Sequence, residues 1–445
     1  MKHHKPGWSL GTLLTLLLTV TVTAGCLFMF SRMRGESADA QMDAQRVIGL
    51  MSSAFQGPTA APAAQQNQVR TVKVTLAPTA VALAADTPAP APADTPVPAK
   101  PTAALPPYTF SLTAGGLLSF QSDITDSVYS KTDKTADYRS VLSQISGKVY
   151  ADLNLVTLPQ LINSSDRKYG DAIALSEAAD AVRALGMDQV ILGSEHILDQ
   201  GAPGAADTVS ALTARGLTCT GVNVSGAVQR RLIPLNGGEV ALLSYTDALT
   251  AKSKNAQKGN AGLLQSFSLD AARADIRWAR SQGARCVIVC LYWGKADGAD
   301  VTSAQRKTAQ ALAQMGADII LGTRPSRVLP MEVISVTGED GKARDAFVAY
   351  SLGTLLTESR EGFDISGALL HLTVSSDGQG RTQFQAEYTP TYIWRQNLNG
   401  ATQYRVLCSA DPAPAEMSGQ QKEVMQRALT RVQTALKNSP VAQRP

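Results

Sequence analysis

Histidine is scarce in this chain. There are four, and two of them, His3 and His4, stand at the extreme amino terminus, which leaves His196 and His371 for all the rest. A binuclear metal centre built on several imidazoles cannot be assembled from two. Cysteine is sparse as well. Cys26, Cys219, Cys286, Cys290 and Cys408 include no Cys-x-x-Cys pair, which excludes a zinc ribbon and a thioredoxin-type site. An excess of charge of one sign is also missing: 41 Lys and Arg against 37 Asp and Glu leave a net charge of +4, with no basic stripe. Nucleic acid is therefore excluded as a partner.

What is present is a 44% apolar composition over 445 residues, enough for one large domain or two ordinary ones with appendages. Cys286 and Cys290 lie four apart in RCVIVCLYW, which reads as a strand, so both point to one face. Core packing is the expected role for thiols so placed. A disulfide from Cys219 or Cys408 to another cysteine stays an open alternative.

One long hydrophobic run exists. SLGTLLTLLLTVTVTAGCLFMF, residues 9–30, carries no charge and is long enough to cross a bilayer as a helix. Lys2 and Lys5 precede it, and Arg32 and Arg34 follow. The reading is an uncleaved anchor over 1–34, with lipoprotein processing at Cys26 (in TAGC) as the alternative. Residues 35–107 are rich in Ala, Pro, Thr and Gln, and 86–107 hold eight prolines. Such a segment builds no core and favours polyproline II, which at about 3.1 Å per residue would reach about 70 Å. A stiff spacer after a single anchor fits a domain held away from a membrane. The expected location is the bacterial cell membrane, single-pass, with the folded part extracytoplasmic.

From Tyr108 onward, strand and helix patterns alternate. Expected strands are 108–113, 152–158, 189–194, 240–245, 285–293, 318–323, 346–352 and 368–374, several of them continuous apolar runs suited to burial on both faces. Expected helices are 176–186, 205–216, 268–283 and 302–316, each read with a polar start and a glycine stop. The segments 368–374 and 382–394 read as antiparallel additions. The expected domain runs over 108–396, followed by a tail, 397–445, with one polar helix near 419–437. The class is α/β.

In such sheets ligands bind in the loops at the carboxyl ends of strands. Five such loops are AGGLLSF (114–120), TLPQL (157–161), GSEHILDQG (193–201), YWGKADGAD (292–300) and GTRPSRV (322–328). Their order and spacing resemble the CapA family of poly-γ-glutamate capsule synthesis proteins. The resemblance covers about 108–394 and is carried by 195–223, by YWG at 292–294 with 303–325, and by YSLGT at 350–354. It implies a calcineurin-like metallophosphoesterase sandwich, two central sheets flanked by helices, here preceded by one transmembrane helix. It also implies loops whose carboxylate, amide and imidazole groups hold metal.

This chain departs from that pattern at nearly every ligand position. Gly116 stands where the family has Asp. Thr157 and Pro159 replace Asn and Glu. Ser194 and Glu195 replace a pair of Asn, while His196 is kept. Tyr292 replaces the His before Trp293 and Gly294. Thr323, Arg324 and Ser326 replace three His, while Gly322 and Pro325 are kept. A fixed guanidinium beside a metal cation is costly. No metal and no cofactor is therefore expected.

The residues themselves offer a few groups for chemistry. Glu195, His196 and Asp199 are candidates for acid/base work, against a packing role for His196. Arg324 is a candidate clamp for a carboxylate or phosphate, with Thr323, Ser326 and Gly116 around it. Tyr292 and Trp293 are a candidate platform for a sugar or polymer, against a place in the core. Asp297 and Asp300 make an incomplete calcium loop and read as a turn. Three functions compete. One is a membrane-anchored CapA-like protein for synthesis, export or tethering of an anionic polymer, without metal-dependent catalysis. The second is a hydrolase rebuilt on Glu195 and His196. The third is an envelope scaffold for a membrane-protein partner.

Overall fold

The computed structural model describes residues 106–444, apart from 164–167, 225, 226, 229, 261, 360, 361, 378–380 and 399. The expected anchor, residues 9–30, and the proline-rich spacer up to 105 lie outside the described residues. Among the described residues no helix is long and apolar enough to cross a membrane.

Two sheets face each other. The strands of the first are β1 (Tyr108–Leu118), β2 (Leu153–Thr157), β3 (Gln189–Ile191), β4 (Thr218–Thr220) and β5 (Ala227–Val228). The second contains β6 (Arg230–Leu235), β7 (Gly238–Thr246), β8 (Ala284–Tyr292), β9 (Ile319–Thr323), β10 (Met331–Thr337) and β11 (Ala343–Ala349). The chain then returns to the first sheet with β12 (Thr354–Leu356), β13 (Ser366–Ser376), β14 (Thr382–Leu398), β15 (Ala401–Cys408) and β16 (Ala442–Gln443). The first sheet runs β15-β14-β13-β1-β2-β3-β4-β5, with β12 beside β1 and β16 beside β14; the second runs β6-β7-β8-β9-β11-β10. From β1 to β5 the strands of the first sheet are parallel, as are β7, β8, β9 and β11 of the second. Edges built from β13–β15, β6 and β10 are antiparallel, so both sheets are mixed.

Strand periodicity sorts the core into layers. In β8, Cys286, Ile288 and Cys290 join Leu112, Leu155, Leu242, Leu321 and Leu370 between the sheets. The alternate residues Val287, Val289 and Leu291 face outward onto Ile276, Ala309 and Leu312. Val156 and Val190 do the same in the first sheet, against Val182, Val209 and Leu212. Each buried aliphatic side chain contributes about 1.5–3 kcal/mol, so this double patterning fixes the register of both sheets. The outer helices are α1 (Ala178–Ala184) and α2 (Gly201–Thr213) on the first sheet, and α4 (Leu269–Ser281) and α5 (Ser303–Met315) on the second. Between these pairs lies α3 (Ala251–Gly259). The chain's last helix is α6 (Gly419–Leu436).

Caps explain the ends of the longer helices. Ser268 accepts from Ala271 N–H at the start of α4, and α5 opens on a reciprocal capping box of Thr302 with Gln305 and ends on its C-cap Gly316, φ 111°. Ser176, the polar residue at the expected start of 176–186, does not cap α1: Glu177 occupies the N-cap, and the Ser176 hydroxyl donates instead to the Glu177 carboxylate. The α2 helix starts at Gly201, four residues earlier than its pattern indicated, because the turn 197–200 leads directly into it.

Two further expectations change. AGGLLSF is not a loop after the first strand. Gly115 and Gly116 lie inside β1, at a register shift against β2 between Ala114 and Leu117. The boundary at 396 falls inside β14, and β15 beyond it completes the first sheet. The tail helix α6, for which the sequence left packing and solvation open, packs on the domain through Met425, Ala428, Val432 and Leu436. The described cysteines, Cys219, Cys286, Cys290 and Cys408, are buried free thiols.

Candidate functional site

The carboxyl ends of the parallel strands of both sheets meet at one rim. Three loops reach it: Gly193–Gln200 after β3, Trp293–Asp300 after β8, and Arg324–Pro330 after β9. The segment after β11 locks the last of these from behind. The Ser351 hydroxyl donates to Pro325 O at 2.8 Å, Thr354 Oγ1 donates to Ser326 O at 3.0 Å, and the Ser326 N–H donates to Ala296 O at 2.9 Å.

Glu195 and Arg324 form the centre. Arg324 Nη2 stands 3.2 Å from Glu195 Oε2, Arg324 Nη1 donates to the Gly294 carbonyl, and the Tyr292 hydroxyl donates to Glu195 Oε1 at 2.9 Å. Both oxygens of Glu195 are thus used. Tyr292 is buried. Burial, and next the Glu195 carboxylate, push its phenol far above the ordinary value, so it remains a proton donor at all physiological pH. Arg324 has φ 101°, a left-handed conformation costly for a residue with a Cβ. The residue holds it because Gly322 and Pro325 fix the chain on both sides and the guanidinium is gripped at both ends. Its Nε is buried without a partner.

His196 and Asp199 sit beside this pair. His196 Nδ1 lies 2.7 Å from Asp199 Oδ2, and the other Asp199 oxygen accepts from Thr250 and from Ser253 Oγ, the latter at 2.8 Å. Burial alone would raise the Asp199 carboxyl. The hydrogen bonds from Thr250, His196 and Ser253 outweigh it and hold the group below its usual range. An ionised Asp199 fixes the proton on Nδ1, which leaves Nε2 facing Glu195 Oε1 at 3.9 Å. The three candidate acid/base residues are therefore brought together, with His196 about one-third exposed.

The other candidates are occupied by the protein itself. Trp293 is buried, stacks on Tyr350 at 5.9 Å and donates its indole N–H to Tyr350 O at 3.0 Å. With Tyr292 also buried, the pair is core and presents no exposed platform. Thr323 is buried, with its hydroxyl 3.4 Å from Leu291 O. Ser326 Oγ donates to Ala296 O at 2.9 Å. Gly116 is covered by the Gly353 carbonyl, and a Cβ there would overlap it. Gly322 is pressed in the same way against Tyr350 O and the Trp293 indole. His371 lies far from the rim in β13, between Thr113 Oγ1 at 3.3 Å and Thr389 Oγ1 at 2.9 Å, as its strand setting indicated. Burial, and next the charge of Arg444, lower its pKa to about 4.

A metal centre was tested against these donors, and they do not fit. Gly116, Thr157, Ser194, Tyr292 and Thr323 offer no carboxylate or imidazole, and a guanidinium holds Glu195. Among the described residues no three His, Cys, Asp or Glu side chains are grouped to hold an ion. Sequence reasoning missed Thr250, Ser253 and Gly294. The first two stand in an otherwise ordinary helix start, and the third acts through its carbonyl, so none carried a signal.

The family model and the curated relatives point to one family. The model described as bacterial capsule synthesis protein PGA_cap matches residues 111–359. The PGA biosynthesis protein CapA of Bacillus subtilis is 26% identical over 57% of this chain and 65% of its own length. The capsule biosynthesis protein CapA of Bacillus anthracis is 28% identical over 41% of this chain and 43% of its own. The chain thus spans less than two thirds of either relative. Among solved structures, the NAD nucleotidase of Haemophilus influenzae aligns at a TM-score of 0.41 and 11% identity, over 76% of this chain and 64% of that one. The calcineurin-like phosphoesterase YfkN of Bacillus subtilis aligns at 0.35 and 11% identity, over 75% of this chain and all of that one (100%).

Proposed function

Because the chain belongs to the bacterial capsule synthesis protein PGA_cap family, we propose that it serves the synthesis, export or tethering of an anionic envelope polymer of the poly-γ-glutamate kind without metal-dependent catalysis. The observation that carries this reading is the Arg324–Glu195 pair at the meeting point of the strand ends. A fixed cation and a phenol stand at the rim in place of metal donors, and the guanidinium is engaged by the Glu195 carboxylate and the Gly294 carbonyl. The apolar run at 9–30 and the proline-rich spacer support a membrane-anchored protein whose folded part works outside the cytoplasm.

The test uses the full chain in mild detergent, with labelled poly-γ-glutamate followed by fluorescence anisotropy at two salt concentrations. Saturable binding that weakens at the higher salt concentration, with no turnover of phosphomonoester, phosphodiester or amide substrates, is the expected result. Hydrolysis that disappears in His196→Ala would refute it and establish a second reading. That reading is a hydrolase in which Asp199 orients His196 as the base, and the 2.7 Å contact between them favours it. Carbonate extraction and protease protection in cells test the anchor and its orientation.

A further inference from the structure

The donor set does not fit a metal, yet the rim is not short of positive charge. We propose that Arg324 is an internal cation, held in a strained backbone conformation, which fills the position of an ion at Glu195 and Gly294 and closes that position to divalent cations. The inference rests on the metal-free part of the proposed function and does not depend on the polymer.

Four observations converge on it. First, Arg324 alone takes both a carboxylate oxygen of Glu195 and the carbonyl of Gly294, two hard oxygen donors that a small cation would otherwise bridge. Second, the guanidinium is positioned at the expense of its own comfort. The residue sits at φ 101° and its Nε is buried without a partner, so its placement is imposed by the loops and not by its own preferences. Third, the groups around it keep the orientation that a ligand set needs. Asp199 accepts a hydrogen bond from His196 Nδ1–H and leaves Nε2 directed to Glu195 at 3.9 Å, the arrangement in which a carboxylate orders a histidine ligand. Fourth, the Tyr292 hydroxyl donates a hydrogen bond to Glu195 Oε1 at 2.9 Å, so the carboxylate oxygen that Arg324 does not take is held by a neutral group.

With Arg324 removed, Glu195, the Gly294 carbonyl and His196 Nε2 remain around one space. This is a mixed oxygen and nitrogen set, suited to zinc or manganese. Arg324→Gly is the informative variant, because glycine accepts a positive φ without strain and the loop keeps its course.

The experiment compares the full native chain with Arg324→Gly, both stripped of metal and titrated by calorimetry with zinc and, separately, manganese. Circular dichroism confirms folding; Arg324→Asn, whose side chain also tolerates the left-handed region, replaces the glycine variant if that one does not fold. The expected result is no stoichiometric binding to the native chain and one ion per chain in Arg324→Gly. Adding Glu195→Gln should abolish that binding, and adding Asp199→Asn should weaken it by about 10–100-fold. If Arg324→Gly binds no better than the native chain, or binds equally well with Glu195→Gln, the inference is overturned while the proposed function stands. If the native chain itself takes one ion tightly, the metal-free reading falls together with it.

Discussion

At Gly116 the space that a ligand side chain would need is filled by the carbonyl of Gly353, whereas at Glu195 it is filled by the guanidinium of Arg324. The first side of the rim is closed by backbone. Gly116 inside β1 and Gly322 in β9 let the chain after β11 and the Trp293 indole approach closely, and hydrogen bonds from Ser351 and Thr354 hold them there. The second side is closed by side chains, most of them partly exposed and joined by charge. The contrast teaches that the two closures differ in how they can be undone. A backbone closure resists any single substitution, because the intruding atom meets main chain in a register-fixed sheet. A charged closure opens when one side chain is removed.

The largest effect expected from this comparison is at Gly116. Returning a carboxylate there, Gly116→Asp, forces a Cβ into the Gly353 carbonyl and should destabilise the fold by about 3 kcal/mol or more, read from urea midpoints. A loss below about 1 kcal/mol would mean that the backbone closure gives way easily. The two histidines sharpen the same contrast. His371 lies inside the sheet with its pKa lowered to about 4, so the folded chain refuses a proton that the unfolded chain accepts near pH 6.5. Its contribution is present above pH 6.5 and is lost as pH falls towards 4, by an amount of about 2–3 kcal/mol. His371→Gln should flatten that part of the stability profile, and an unchanged profile would contradict the assigned burial.

Smaller effects belong to the charged side. Ser253→Ala and Thr250→Val each remove a hydrogen bond to Asp199 and should cost about 1 kcal/mol. They should also raise the Asp199 carboxyl towards its ordinary range. Because that carboxyl is held low in the folded chain, its stabilising effect is present above the unfolded value and is lost as pH falls from there through the lowered folded value. NMR titration of the Asp199 carboxyl reads the shift directly. The smallest effect is at Arg324. Its pair with Glu195 is partly exposed and screened, and replacement by glycine relieves the positive φ, so Arg324→Gly should change stability by less than about 1 kcal/mol. A larger loss would place Arg324 with the backbone closure.

Much of the sheet framework was legible because it is written in period. Continuous apolar runs such as 285–293 occur where both faces are covered, and glycine stops such as Gly316 mark the longer helices. The edge strands β6, β10 and β15 were missed: no residue of β6 is fully buried, β10 alternates between covered and exposed residues, and β15 opens with Ala401, Thr402 and Gln403, none of them buried. At the rim, the replacement of each expected ligand could be read residue by residue, and so could the isolation of His371. The closure itself could not be read. A glycine does not reveal which carbonyl rests on it, Arg324 does not reveal that its partner is Glu195 129 positions away, and Tyr292 stayed open between platform and core because its aromatic type says nothing of burial. Those facts belong to the approach of two sheets and become visible only when both are folded together.

The measurement that tests the central claim most directly is the metal content of the native full chain, purified without chelators and read by inductively coupled plasma mass spectrometry. A stoichiometry near zero for manganese, iron, zinc and calcium is the expected result, with Arg324 supplying the positive charge at the rim. One or more tightly held ions per chain would contradict the account and would make Glu195 and His196 the first residues to test as their ligands.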